Sequence, residues 1–123
     1  MNMKKDARTI GRLFKFLGSA PRIRILLAID SGEACVCHLE AGLGLRQAYI
    51  SQHLMALRKA GALVSRREGR FIYYRLRDPR LLELVEAAAQ LTGVEFAPIR
   101  LPDDCACPAC SPAPAFKAIE NEP

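Results

Sequence analysis

Apolar residues recur at helical spacing near the start of the chain, where Ile10, Leu13, Phe14 and Leu17 share one stripe and predict a helix over Lys4 to Leu17. Gly18 and Ser19 break that pattern. Pro21 suits the first turn of a second helix, because the N–H it lacks would be unpaired there anyway. Ile23, Leu26 and Leu27 face inward on it, and Asp30-Ser31-Gly32 ends it. A short third helix is expected through Cys37 to Ala41, closed by Gly42 and Gly44. The segment LRQAYISQHLMALRKAG then turns Ile50, Leu54 and Leu57 toward a core and leaves Gln47, Ser51, Gln52, Arg58 and Lys59 outside, with Gly61 as its stop. After it the period changes. ALVSRR and RFIYYRLR are β-branched and aromatic runs on either side of Glu68-Gly69-Arg70, the pattern of a β-hairpin. Tyr73 and Tyr74 alternate across the second strand, which places one of them in the core. Asp78 and Pro79 open a last helix striped by Leu81, Leu84, Val85, Ala88 and Leu91. So small a core offers that stripe and the first helix no further partner, so they are expected to form a dimer interface.

Composition adds a division of labour. The 123 residues carry a net charge of +5, and half of them are apolar, enough for one small core. Residues 46–80 hold nine Arg or Lys against Glu68 and Asp78, a local balance of +7. Residues 81–123 hold Arg100 and Lys117 against seven acids, a balance of −5. A basic centre and an acidic end suggest a polyanion-binding face and a separate task for the C-terminus. No apolar run approaches the ~18 residues needed to span a bilayer, and the N-terminus has no secretory pattern, so a cytoplasmic protein without a membrane partner is expected. The five cysteines, Cys35, Cys37, Cys105, Cys107 and Cys110, fall in two tight clusters, CVC and CACPAC. An odd number in a reducing compartment argues for metal binding or thiol chemistry rather than a disulfide framework. From Thr92 onward the chain is rich in Pro and acids and has no period. Residues 1–92 are therefore read as one DNA-binding and dimerisation domain and residues 93–123 as a Cys/Pro-rich tail.

The order of four helices, a basic hairpin and a last helix is a mainly α fold with a small β-hairpin, a dimeric winged helix-turn-helix. Gly42-Leu43-Gly44-Leu45 supplies the short glycine-containing turn. The stretch over residues 32–76 closely resembles the ArsR/SmtB family of metal-responsive repressors. Its marks are Cys35-Val36-Cys37, the run Ser51-Gln52-His53-Leu54-Met55-Ala56-Leu57-Arg58, and Arg67-Glu68-Gly69-Arg70 followed by Tyr73-Tyr74. The resemblance implies a homodimer that sits on double-stranded operator DNA and leaves it when an inducer binds. Two-fold related recognition helices would enter major grooves ~34 Å apart. Gln47, Tyr49, Ser51 and Gln52 lie early on the exposed side of that helix, where Gln can pair with adenine and Ser with several base edges. Arg58, Lys59, Arg66, Arg67 and Arg70 would meet phosphate or the minor groove and give salt-dependent affinity. His53 is expected as a phosphate contact or a structural hydrogen bond.

In the family the Cys-Val-Cys motif binds thiophilic ions, which assigns Cys35 and Cys37 to the inducer. Residues i and i+2 of a regular α-helix point about 200° apart, so this pair must lie where a helix begins, or the helix must distort on binding. Two thiolates are too few for arsenite, the first choice, or for cadmium or lead, which favour sulfur-rich shells. One family branch has a third cysteine at the position that is Glu40 here, and another draws cysteines from an N-terminal arm that has none in this chain. The expected further donors are Cys105, Cys107 and Cys110, from the same or the partner subunit. A zinc-type site on the last helix is not expected, because its later positions are Arg80, Leu91 and Val94; His38 is the one nearby nitrogen donor. No organic cofactor is implied. Three rival readings compete. One is a thiol-redox or persulfide-responsive repressor. Another is a structural zinc clip in CACPAC. The third is a thiol oxidoreductase using CPAC, which lacks the strand-to-helix setting such a motif needs. No nucleophile–base constellation or phosphate-binding glycine loop points to an enzyme.

Overall fold

The computed structural model describes residues 3–96, with side chains from residue 6 onward. Five helices and three short strands follow in the order α1 (Met3–Leu17), α2 (Ala20–Ile29), β1 (Ala34–Cys35), α3 (Val36–Leu43), α4 (Gln47–Lys59), β2 (Leu63–Glu68), β3 (Phe71–Leu76) and α5 (Arg80–Thr92). α4 follows the apolar period, whereas on α2 the buried residues are Ile25, Leu26, Ala28 and Ile29, and Ile23 and Leu27, expected inward, are half-buried. Ile50, Leu54 and Leu57 are the buried residues of α4, and with Ile25, Leu26, Leu39 and Leu63 they form the centre of the core. α2 carries Pro21 in its first turn. α3 runs through Gly42 and stops at Gly44, whose backbone is left-handed (φ 67°), so the glycine needed for the turn into α4 is the second of the pair. Arg24 ties the corner by donating from Nη2 to the carbonyl of Leu43 at 3.1 Å. α5 opens where Asp78 Oδ1 accepts the backbone N–H of Arg80 at 3.0 Å. The Arg80 side chain, then that N–H, holds the Asp78 carboxyl down at about 2.

The sheet is antiparallel, in the order β1-β3-β2. Its hairpin closes at the pair Glu68–Phe71 around a two-residue turn, in which Gly69 takes φ 63°. A Cβ at Gly69 would meet nothing within 4 Å, so Gly69→Ala should cost only its backbone strain, about 1–2 kcal/mol. Urea denaturation checks this, and an unchanged midpoint would show that the turn relaxes. The strand β1 is an addition to the expected elements. It makes β3 the central strand, and that changes the fate of the tyrosines. Tyr74 points into the main core and is 8% exposed; Tyr73, on the other face, is sealed at 1% by Cys35, Cys37 and Phe71. Both are buried, where one was expected, because both faces of the central strand are covered.

Two helices keep apolar side chains outside. Ile10 and Phe14 of α1 and Leu91 of α5 are exposed at 54%, 55% and 89%, and Val94 and Phe96 follow them. Phe14, Ile23, Val85, Ala88, Val94 and Phe96 line a groove of about 480 Å³ between α1, α2 and α5. Leu91, the last residue of the α5 stripe, is the most exposed of these side chains.

Candidate functional site

The helix-turn-helix is α3, a turn over residues 44–46, and α4. Arg46 sits at the N-cap of α4, so Gln47 and Tyr49 occupy its first turn, where an incoming base edge would arrive. Gln47, Tyr49, Gln52, Arg58 and Lys59 are exposed and Ser51 is half-buried. They lie outside the buried stripe of Ile50, Leu54 and Leu57. Arg66, Arg67 and Arg70 are exposed on the hairpin. One helix face and one basic wing thus supply donors and cations suited to base edges and phosphates.

His53 departs from that face. Its Nδ1 accepts Nε–H of Arg22 at 3.1 Å, its ring meets Tyr49 edge-on at 4.7 Å between centroids, and Arg22 also donates to the Phe16 carbonyl at 2.9 Å. It therefore bolts α4 to the α1–α2 corner. With Nδ1 accepting, the ring proton belongs on Nε2, an atom that is buried without a partner among the described residues. Burial first, and then the Arg22 charge, hold the imidazole below its ordinary 6.5. The folded state therefore binds this proton less readily than the unfolded chain does. Stability should be full above pH 6.5 and fall as pH drops toward the lowered value. His53→Asn, which keeps an acceptor near the Nδ1 position, should flatten that part of the profile in thermal unfolding between pH 7 and pH 5. An identical slope in both proteins would place the titration elsewhere.

The cysteine pair lies at the other end of the helix-turn-helix. Cys35 belongs to β1 and is also the N-cap of α3, in extended backbone (φ −93°, ψ 169°), and Cys37 is in the first turn of that helix. Because the first of the two is not yet helical, the sulfurs do not diverge: their Sγ atoms are 2.8 Å apart. Cys35 is 2% exposed, packed with Tyr73, while Cys37 is half-buried. Two soft donors converging at a helix start suit a thiophilic ion but complete no shell: among the described residues no group of three or more His, Cys, Asp or Glu could hold a metal ion. His38 Nε2 is buried without a partner among the described residues. Cys105, Cys107 and Cys110 lie outside the described residues.

Sequence reasoning missed Arg22 and Glu33. Glu33 meets the wing: its carboxylate accepts Nη2 of Arg66 at 2.8 Å, and this hydrogen bond holds the carboxyl below its usual range. Both partnerships span more than 30 positions of the chain and have no local signature.

An α3–α4 pair presenting polar side chains, followed by an arginine-bearing hairpin, defines a winged helix-turn-helix regulator of the DNA-binding class. The comparisons with known proteins give the family. Residues 20–65 match the family described as bacterial regulatory protein, arsR family. The arsenic resistance transcriptional regulator ArsR1 of Pseudomonas putida is 46% identical over 83 residues, covering 67% of this chain and 62% of that one. The chain thus spans less than two thirds of that relative's length. The regulator ArsR2 of the same organism is 44% identical over 81 residues, 65% of this chain and 70% of that one. Reduced HlyU from Vibrio cholerae superposes with a TM-score of 0.65 at 29% identity, covering 72% of this chain and 94% of that structure. The chain belongs to the arsR family. No helix among the described residues is long and apolar enough to cross a membrane.

Proposed function

We propose that this chain is a cytoplasmic transcriptional repressor that holds operator DNA as a homodimer and lets go when a thiophilic ion engages Cys35 and Cys37. The observation that carries this reading is the sulfur pair, 2.8 Å apart at the start of the helix that leads into α4. Any change in the sulfurs' separation acts on α3, which packs on the recognition helix. Arsenite is the first choice, because the two curated relatives above are named for arsenic resistance. Cadmium and lead share the preference for sulfur. Residues 1–92 grip DNA and the partner. Residues 93–123 bring Cys105, Cys107 and Cys110, one or more of which completes the donor set.

On DNA, Gln47, Tyr49, Ser51 and Gln52 read bases, and Arg58, Lys59, Arg66, Arg67 and Arg70 meet the backbone. α1 and α5 join the subunits through their exposed apolar side chains. The ion, when bound, supplies only charge and bond geometry at sulfur. The chain's own work is to present two thiolates at a helix start and to pass a displacement from α3 to α4.

The test is fluorescence anisotropy on operator DNA under reducing conditions, titrating arsenite, cadmium, lead and zinc separately. Release at low ion concentration is expected. A second reading, a thiol-redox or persulfide-responsive repressor, draws on the same sulfur contact. Release by oxidant or persulfide and by no ion would establish it and overturn the first.

A further inference from the structure

Cys35 pairs with Tyr73, and Tyr73 pairs with Arg66, so these three residues form one row across the sheet. The Arg66 guanidinium lies over the Tyr73 ring, 4.5 Å from its centroid. It is also heavily engaged by carboxylates. Its Nε lies 2.9 and 3.1 Å from the two Glu33 oxygens, its Nη2 2.8 Å from one of them, and its Nη1 3.0 Å from Glu68 Oε1. A forked guanidinium offers a phosphate the same donors it offers a carboxylate, so the two cannot both hold Arg66 in this geometry. Glu33 stands immediately before β1, two residues before Cys35.

We propose that Glu33 is a positioning residue for the wing, competing with the DNA backbone for Arg66 from the chain segment that leads into the cysteine site. The proposal rests on the reading that the wing meets DNA. On binding, a phosphate takes Arg66 and the Glu33 carboxylate is released to water. The latch is closed in the protein free of DNA. It opens only as far as β1 lets Glu33 stay behind when Arg66 turns outward. Because β1 ends in Cys35, whatever fixes that sulfur also fixes the anchor of the latch. The wing's grip and the state of the cysteine pair are therefore set along one row of the sheet.

The test uses Glu33→Gln, which keeps size and removes the charge, together with Arg66→Gln and the double variant. In the DNA-free full-length protein, the Arg66 Nε–H should give a resolved, slowly exchanging NMR signal that Glu33→Gln abolishes. A signal unaffected by Glu33→Gln overturns the latch. In anisotropy at low salt, Glu33→Gln should tighten operator binding about two- to fivefold, the scale of an exposed ion pair, and the gain should shrink as salt rises. In the Arg66→Gln background the same substitution should do nothing. A gain of equal size there means that Glu33 merely repels DNA, and overturns the competition. So does a normal operator affinity that Glu33→Gln leaves unchanged. If the native protein binds no operator at all, the functional reading fails along with the competition, while the NMR signal still reports whether the latch exists. If it binds operator but no ion releases it, only the inducer reading fails.

Discussion

Replacing Cys35 with serine should leave operator affinity nearly intact while raising the ion concentration needed for release by more than about a hundredfold. Even partners one shell removed from a metal cost 10- to 100-fold when lost, and a sulfur ligand that cannot be replaced in kind should cost more. The variant is expected to fold. Cys35 is the N-cap of α3 and its side chain makes no capping hydrogen bond, whereas serine is among the favoured residues at that position and can accept one. Cys37→Ser should behave the same way, since one sulfur alone does not make the pair. Anisotropy titrations of both variants beside the native protein, with circular dichroism as the check on folding, decide the matter. Release at the native concentration would remove the sulfur pair from the inducer's path. Cys110→Ser and Cys107→Ser separate the tail's share: if losing both leaves release unchanged, the tail acts through Cys105 at most.

The second large effect is expected at the α1–α5 groove. Phe14 is 55% exposed on α1, so Phe14→Glu should not disturb the monomer's own core, yet it sets a charge on the face proposed to join two subunits. The variant should sediment as a monomer and lose about 10²–10⁴-fold in operator affinity. Two linked half-site contacts bind far more tightly than either alone, and the substitution breaks the link. A dimer that persists, with native affinity, would mean that another surface joins the subunits and that this groove serves a different occupant.

Much of this architecture was legible because its determinants are local. The 3.6 period of Ile50, Leu54 and Leu57 is set by which residues the core can accept, and the β-branched and aromatic run of β3 by the surface it must cover. The parts that escaped are those decided by partners distant in sequence. Ala34 and Cys35 become a strand only because Tyr73 and Tyr74 lie opposite, and no two-residue run can announce that. That strand buries the second tyrosine. For His53 the sequence left a phosphate contact and a structural hydrogen bond open; the partner of that bond, Arg22, depends on where α2 packs. At the site, the cysteine spacing carried the geometric requirement that the pair sit at a helix start, while the extended backbone of Cys35 that brings the sulfurs together is a property of β1. The arginines of the wing were plain in sequence; which of them is held by a carboxylate was not.

The unequal burial of the two sulfurs has a consequence for timing. Cys37 is half-buried and Cys35 is almost wholly covered by Tyr73 and its neighbours. If the proposed ion binds here, it should meet Cys37 first and reach Cys35 only by being passed inward, so capture should be stepwise. Stopped-flow release of operator DNA would then show two phases, the second lost in Cys35→Ser.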